Sequence, residues 1–135
     1  MRRLFAGLLP LALSACVNAE PLTEVSLDGQ PARLVQRDGE CTLVHAAQHL
    51  PLGLKWPCSL SPDRAGRARV EQFDGVPILL VTHIQPHPTL QGECLKTSRA
   101  VRLTQPGLEP SAPLSSASCD TGVEDQKMFT GMFRW

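Results

Sequence analysis

Arg67-Ala68-Arg69-Val70-Glu71-Gln72-Phe73-Asp74-Gly75-Val76-Pro77-Ile78-Leu79-Leu80-Val81-Thr82-His83-Ile84 reads as two strands folded back on one Asp-Gly turn. Asp-Gly between apolar runs supplies the positive φ values that a tight hairpin turn requires. Residues 76–84 are apolar almost throughout, as a strand covered on both faces must be, and Pro77, which has no amide donor, belongs at its start. This is the expected central strand. The same signal occurs twice upstream. Val25 and Leu27 alternate with polar residues up to Asp28-Gly29, Ala32-Arg33-Leu34-Val35 leads to Asp38-Gly39, and Cys41-Thr42-Leu43-Val44 resumes the alternation. Three such turns predict an antiparallel sheet. Residues 100–104 form a further, shorter strand, and residues 127–133 close the sheet with Phe129 and Phe133 inward. Only residues 45–50 carry a helical turn, which Pro51 stops. With 12 prolines and 10 glycines in 135 residues, long helices are excluded. The predicted class is mostly β, a small disulfide-stapled antiparallel sandwich or open barrel.

The chain begins Met1-Arg2-Arg3, runs apolar through residues 4–13, and reaches Leu13-Ser14-Ala15-Cys16. Two arginines before an apolar run too short to span a bilayer, followed by small residues, make an export address. Leu13-Ser14-Ala15-Cys16 resembles the lipobox of bacterial lipoproteins. The resemblance implies that residues 1–15 are a signal peptide and that Cys16 becomes the first mature residue, carrying a thioether-linked diacylglycerol. Two or more buried acyl chains anchor firmly, since each buried CH₂ contributes about 0.8 kcal/mol. Residues 16–23 are then a lipidated tether and residues 24–135 a single β-rich domain. Val17, rather than Asp, after the anchor implies by the enteric sorting pattern the outer membrane, facing the periplasm. Cleavage after Ala19 is the alternative, and would release a soluble chain beginning at Glu20.

Either cut removes one of five cysteines from consideration and leaves Cys41, Cys58, Cys94 and Cys119. An even set in an oxidising compartment reads as two disulfides. Gly39-Glu40-Cys41 recurs as Gly92-Glu93-Cys94, and if each copy starts a unit whose cysteine pairs with the next, the bridges are Cys41 to Cys58 and Cys94 to Cys119. Crossed connectivities remain open at this level. Gly92-Glu93-Cys94-Leu95, with Cys119 and Gln126 later, is faintly similar to a ricin-type lectin repeat, which implies a β-trefoil sugar binder. Met128 stands where that repeat has an aromatic, and the chain is too short for three repeats.

Removing Arg2 and Arg3 leaves 11 basic against 13 acidic side chains, a net charge near −2. That balance argues against nucleic acid as a partner and against a polybasic membrane patch. All four histidines fall in two H-x₃-H pairs, His45 with His49 and His83 with His87, but Pro86 keeps the second pair off a helix and no glutamate of an H-E-x-x-H motif is present. No metal or cofactor is expected. No G-x-S-x-G motif occurs, the mature cysteines are expected to be oxidised, and Ser115, Ser116 and Ser118 read as a polar run beside a half-cystine. No catalytic residue and no enzymatic activity are therefore expected. A stapled β domain instead presents pre-ordered loops, here residues 51–57, 85–91 and 105–118, and loses little entropy on docking. Trp56 and Trp135 are the candidate binding anchors, because Trp and Arg are enriched at interface hot spots. The leading expectation is an envelope lipoprotein that binds a protein partner, for instance as an inhibitor or immunity factor. The alternatives are a structural or assembly lipoprotein and, third, a small-ligand or metal binder.

Overall fold

All three Asp-Gly pairs close hairpins: Asp28 and Gly29 have φ 51° and 75°, Asp38 and Gly39 50° and 78°, Asp74 and Gly75 51° and 71°. The computed structural model in which they are seen describes residues 20–135; the signal peptide expected over 1–15, the anchor Cys16 and tether residues 17–19 lie outside the described residues. The first two turns link β1 (Glu24–Leu27), β2 (Gln30–Arg37) and β3 (Glu40–His45), and β4 (Gln48–Lys55) completes a four-stranded meander in the order β1-β2-β3-β4. The helical turn expected over 45–50 is absent. Ala46 takes φ 51°, so Ala46-Ala47 makes a tight turn without a glycine, and Pro51 sits in an edge strand where its missing donor costs no ladder bond. The loop expected over 51–57 is accordingly strand as far as Lys55.

The second sheet contains β5 (Ser59–Leu60), β6 (Glu71–Phe73), β7 (Val76–Pro86), β8 (Cys94–Thr104), β9 (Gly107–Pro110) and β10 (Leu114–Ser116), in the order β10-β8-β7-β5, with β6 also paired to β7 and β9 to β8. Strand β7 is the central strand anticipated, with Pro77 second in it. Its partner β8 is longer than residues 100–104, and the span 105–118 contains two short strands instead of one open loop. Of the strand expected over residues 67–73 only Glu71–Phe73 is formed, preceded by an isolated bridge between Pro62 and Ala68.

Alternation along β7 and β8 divides the interior in two. Leu79, Val81 and Val101 face the first sheet and pack with Leu34, Leu43, Leu52 and Leu54, forming the main core of a sandwich. Ile78, Leu80 and Ala100 face the other way and are covered by Phe129. That residue belongs to α1 (Gln126–Thr130), not to the closing strand expected over 127–133. Apolar side chains at 128, 129, 132 and 133 recur with helical rather than two-residue spacing. Asp125 caps the helix by accepting the Lys127 amide at 2.8 Å. Phe129 is inward, as expected; Phe133 packs at the rim.

Cys41 is joined to Cys58 and Cys94 to Cys119, with Cα separations of 6.3 and 5.2 Å. The first bridge is buried in the main core and ties the two sheets together; Cys119 of the second is exposed. Two facing sheets and one covering helix leave no place for the trefoil that the lectin-like repeat implied. Leu22 and Thr23, expected in the tether, accept the amides of Leu60 and Leu34 at 2.7 and 2.8 Å.

Side chains bridge the sheets where the backbone does not. The Gln48 amide accepts from Leu108 N–H at 2.9 Å and donates to Leu108 C=O at 3.4 Å, a side-chain substitute for one rung of a ladder between β4 and β9. Arg99 on β8 donates to Leu52 C=O on β4 and to Ser111 C=O, both at 2.7 Å.

Candidate functional site

Arg102 stands directly opposite Glu109 in the β8–β9 register, so the pair is set by strand pairing rather than by proximity in sequence. The guanidinium grips the carboxylate with two bonds, 2.8 Å from Nε and 3.1 Å from the second terminal nitrogen. This contact holds Glu109 below the usual glutamate range, the hydrogen bond from Arg102 being the main cause and its charge adding to it against the opposing effect of burial. The remaining guanidinium edge donates to the Arg134 carbonyl at 3.0 Å. Its flat face lies 4.5 Å from the Phe133 ring centre and 4.8 Å from that of Trp135. Trp135 meets Phe73 edge-on at 4.7 Å and Phe133 at 5.9 Å, while its indole N–H donates to the Thr130 carbonyl at 3.0 Å. Four contacts thus fix the terminal tryptophan, yet half of it stays exposed. A rigid aromatic ring with its polar edge satisfied and its apolar face in water is the chemistry of an interface anchor.

Trp56 lies elsewhere. It packs partly buried against the main core, on the opposite side of the second sheet from Trp135, so the two expected anchors do not share a surface. The histidines are likewise dispersed. His45 is buried and donates from Nε2 to the Leu27 carbonyl at 2.8 Å, whereas His49 points to solvent from the neighbouring strand. His83 Nδ1 donates to the Pro57 carbonyl at 2.6 Å, and His87 Nδ1 accepts the amides of Thr89 and Leu90. Among the described residues no three His, Cys, Asp or Glu side chains gather where a metal ion would need them.

The outer side of the second sheet carries further charge that sequence reading missed. Lys96, buried on β8, pairs with Glu124 and donates to the Asp120 carbonyl at 2.8 Å. Arg69 lies 4.5 Å over the Phe129 ring, binds Glu71 and reaches the Glu124 carbonyl at 2.6 Å. These cations pin residues 120–126 over the sheet. No protein-family model, curated protein or solved structure matches the chain.

Proposed function

We propose that the chain is an exported envelope protein, anchored by lipid on Cys16 in the outer membrane and facing the periplasm, that acts by binding another protein rather than by catalysis. The observation that carries this reading is the corner built around Trp135: an exposed indole immobilised by Arg102, Phe73 and Phe133 on a twice-bridged scaffold. Little side-chain entropy remains for the corner to lose on docking, so most of its buried area would count toward affinity. An inhibitor or immunity factor, occupying one surface of a toxic enzyme, is the role that suits such a fixed patch.

Two measurements test the proposal. Intact-mass analysis of the mature protein should find acyl chains on an N-terminal Cys16; an unacylated chain starting at Glu20 refutes the anchor. Crosslinking in the native envelope should then capture a partner at a fixed stoichiometry, and Trp135→Ala should weaken that capture by more than about 1 kcal/mol. Sub-stoichiometric, time-dependent modification of a target would make the protein an enzyme instead.

A further inference from the structure

The first described residue, Glu20, lines a cleft with Pro21, Ser59, Pro62, Gly66 and Thr121, so the tether leaves the domain beside the loop of residues 62–68. Three residues lie between Cys16 and Glu20, and the four extended steps from one to the other reach at most roughly 14 Å. The polar layer on each side of a bilayer is itself about 5–8 Å thick. A lipid on Cys16 therefore keeps the tether exit, and whatever surrounds it, within about 14 Å of the anchor, close enough to touch the headgroups.

What surrounds it is a small rigid turn with two outward arginines. The Pro62–Ala68 bridge closes the loop; inside it the Asp63 amide donates to the Arg67 carbonyl at 2.7 Å, and Asp63 Oδ1 accepts the amides of Ala65 and Arg67 at 2.8 and 3.0 Å. The Arg67 amide keeps Asp63 below the usual carboxylate range, with the Ala65 amide and the charges of Arg67 and Arg69 adding to it against desolvation. Arg64 is exposed, and the Arg67 side chain is 81% exposed with only a 3.6 Å contact to Asp63. Of the nearby acids, Asp63 is engaged with the loop amides, Glu124 with Lys96 and Asp125 with the helix cap, while Glu20 at the tether exit is exposed and stands as a single counter-charge to the two arginines.

We propose that this loop is a membrane-contact site, with Arg64 and Arg67 binding the phosphates of anionic phospholipid headgroups and setting the orientation of the domain on its anchor. The inference rests on the lipid anchor at Cys16 proposed above. Two arginines are not the polybasic patch that overall charge argues against; they orient a domain that its acyl chains already hold.

The test uses the acylated full-length protein in vesicles of phosphatidylethanolamine with or without phosphatidylglycerol. Fluorophores are placed on Ala65→Cys, within the loop, and on Gln105→Cys, in the turn at the other end of β8. With phosphatidylglycerol, quenching of the loop label by aqueous acrylamide should fall at least threefold relative to the Gln105 label, and Arg64→Glu with Arg67→Glu should abolish the difference. A second readout needs no added thiol: in the unmodified protein, tryptic cleavage after Arg64 and Arg67, read by mass, should slow several-fold on the anionic vesicles. Equal access of both labels, or protection that ignores phosphatidylglycerol, overturns the contact while leaving the anchor intact. A mature form without acyl mass overturns the anchor and the contact together.

Discussion

The two faces of the β7–β8 ribbon are closed by different means. Toward the first sheet, thirteen buried residues, largely leucine and with one disulfide among them, make a continuous core; on the other face the buried apolar cluster is Ile78, Leu80, Ala100 and Phe129, continued by the buried polar side chains of Thr82, Ser98 and Lys96. The inner face is closed by the four-stranded meander of the first sheet. The outer face is closed by a five-residue helix, too short to persist on propensity, and by a strap held through cations and one exposed bridge. Hydrophobic closure gives the inner side its stability, while electrostatic closure leaves the outer side thin enough to open separately, and the Trp135 corner stands on that thinner side.

The sharpest way to break this contrast is to delete each bridge in turn. Loop-closure entropy alone makes them nearly equal, at about 3 kcal/mol for the Cys41–Cys58 separation of 17 residues and about 3.5 kcal/mol for the Cys94–Cys119 separation of 25. Burial adds a packing loss only to the first. Cys41→Ala with Cys58→Ala should therefore cost about 4–5 kcal/mol in denaturant titration, and Cys94→Ala with Cys119→Ala no more than about 3.5 kcal/mol. Equal losses would mean that loop length governs and that the faces do not differ as described.

Phe129→Ala comes next, at about 3 kcal/mol, near the lower end for a buried phenylalanine because the site lies at an edge that can relax. Hydrogen exchange should report the loss in α1 and the outer side of β7 and β8, with β2 and β3 still protected; uniform loss would merge the two cores into one unit. The smallest effect is that of acid. Glu109 titrates below the usual range when folded, so its pairing with Arg102 stabilises fully above the unfolded glutamate value and is lost as pH falls through that range to the folded one. Trp135 fluorescence should accordingly change, as pH falls below the unfolded glutamate value, before the far-ultraviolet signal of the sheets does. Simultaneous loss of both signals would show the corner to be part of the main core.

The hairpins were legible because Asp-Gly is a local signal whose mechanism does not depend on the rest of the chain. So was the burial of β7, since unbroken apolar character requires two covered faces. The Ala46-Ala47 turn was not, because its left-handed residue is paid for by the pairing of β3 with β4 rather than announced by glycine. The C-terminal helix carried a readable signal, an Asp125 cap and helical apolar spacing, which the expectation of a closing strand overrode. Of the candidate site, Trp135 was visible by residue type. Arg102 and Glu109 were not, since their meeting depends on a strand register that no local pattern states.

The amide of Gln48 also bears on how copies of this chain would meet. Strands β4 and β9 are sheet edges, and an open edge recruits the same edge of a neighbouring copy. Lipid tethering would confine many copies to one plane and raise the frequency of such encounters. Because Gln48 takes both the N–H and the C=O of Leu108, a neighbour arriving there finds that rung already filled. Room for this plug comes from Gly107, at φ 130°, where a Cβ would lie 2.5 Å from Gln48 Oε1. A single glycine thus makes room for the side chain that fills this rung of the edge.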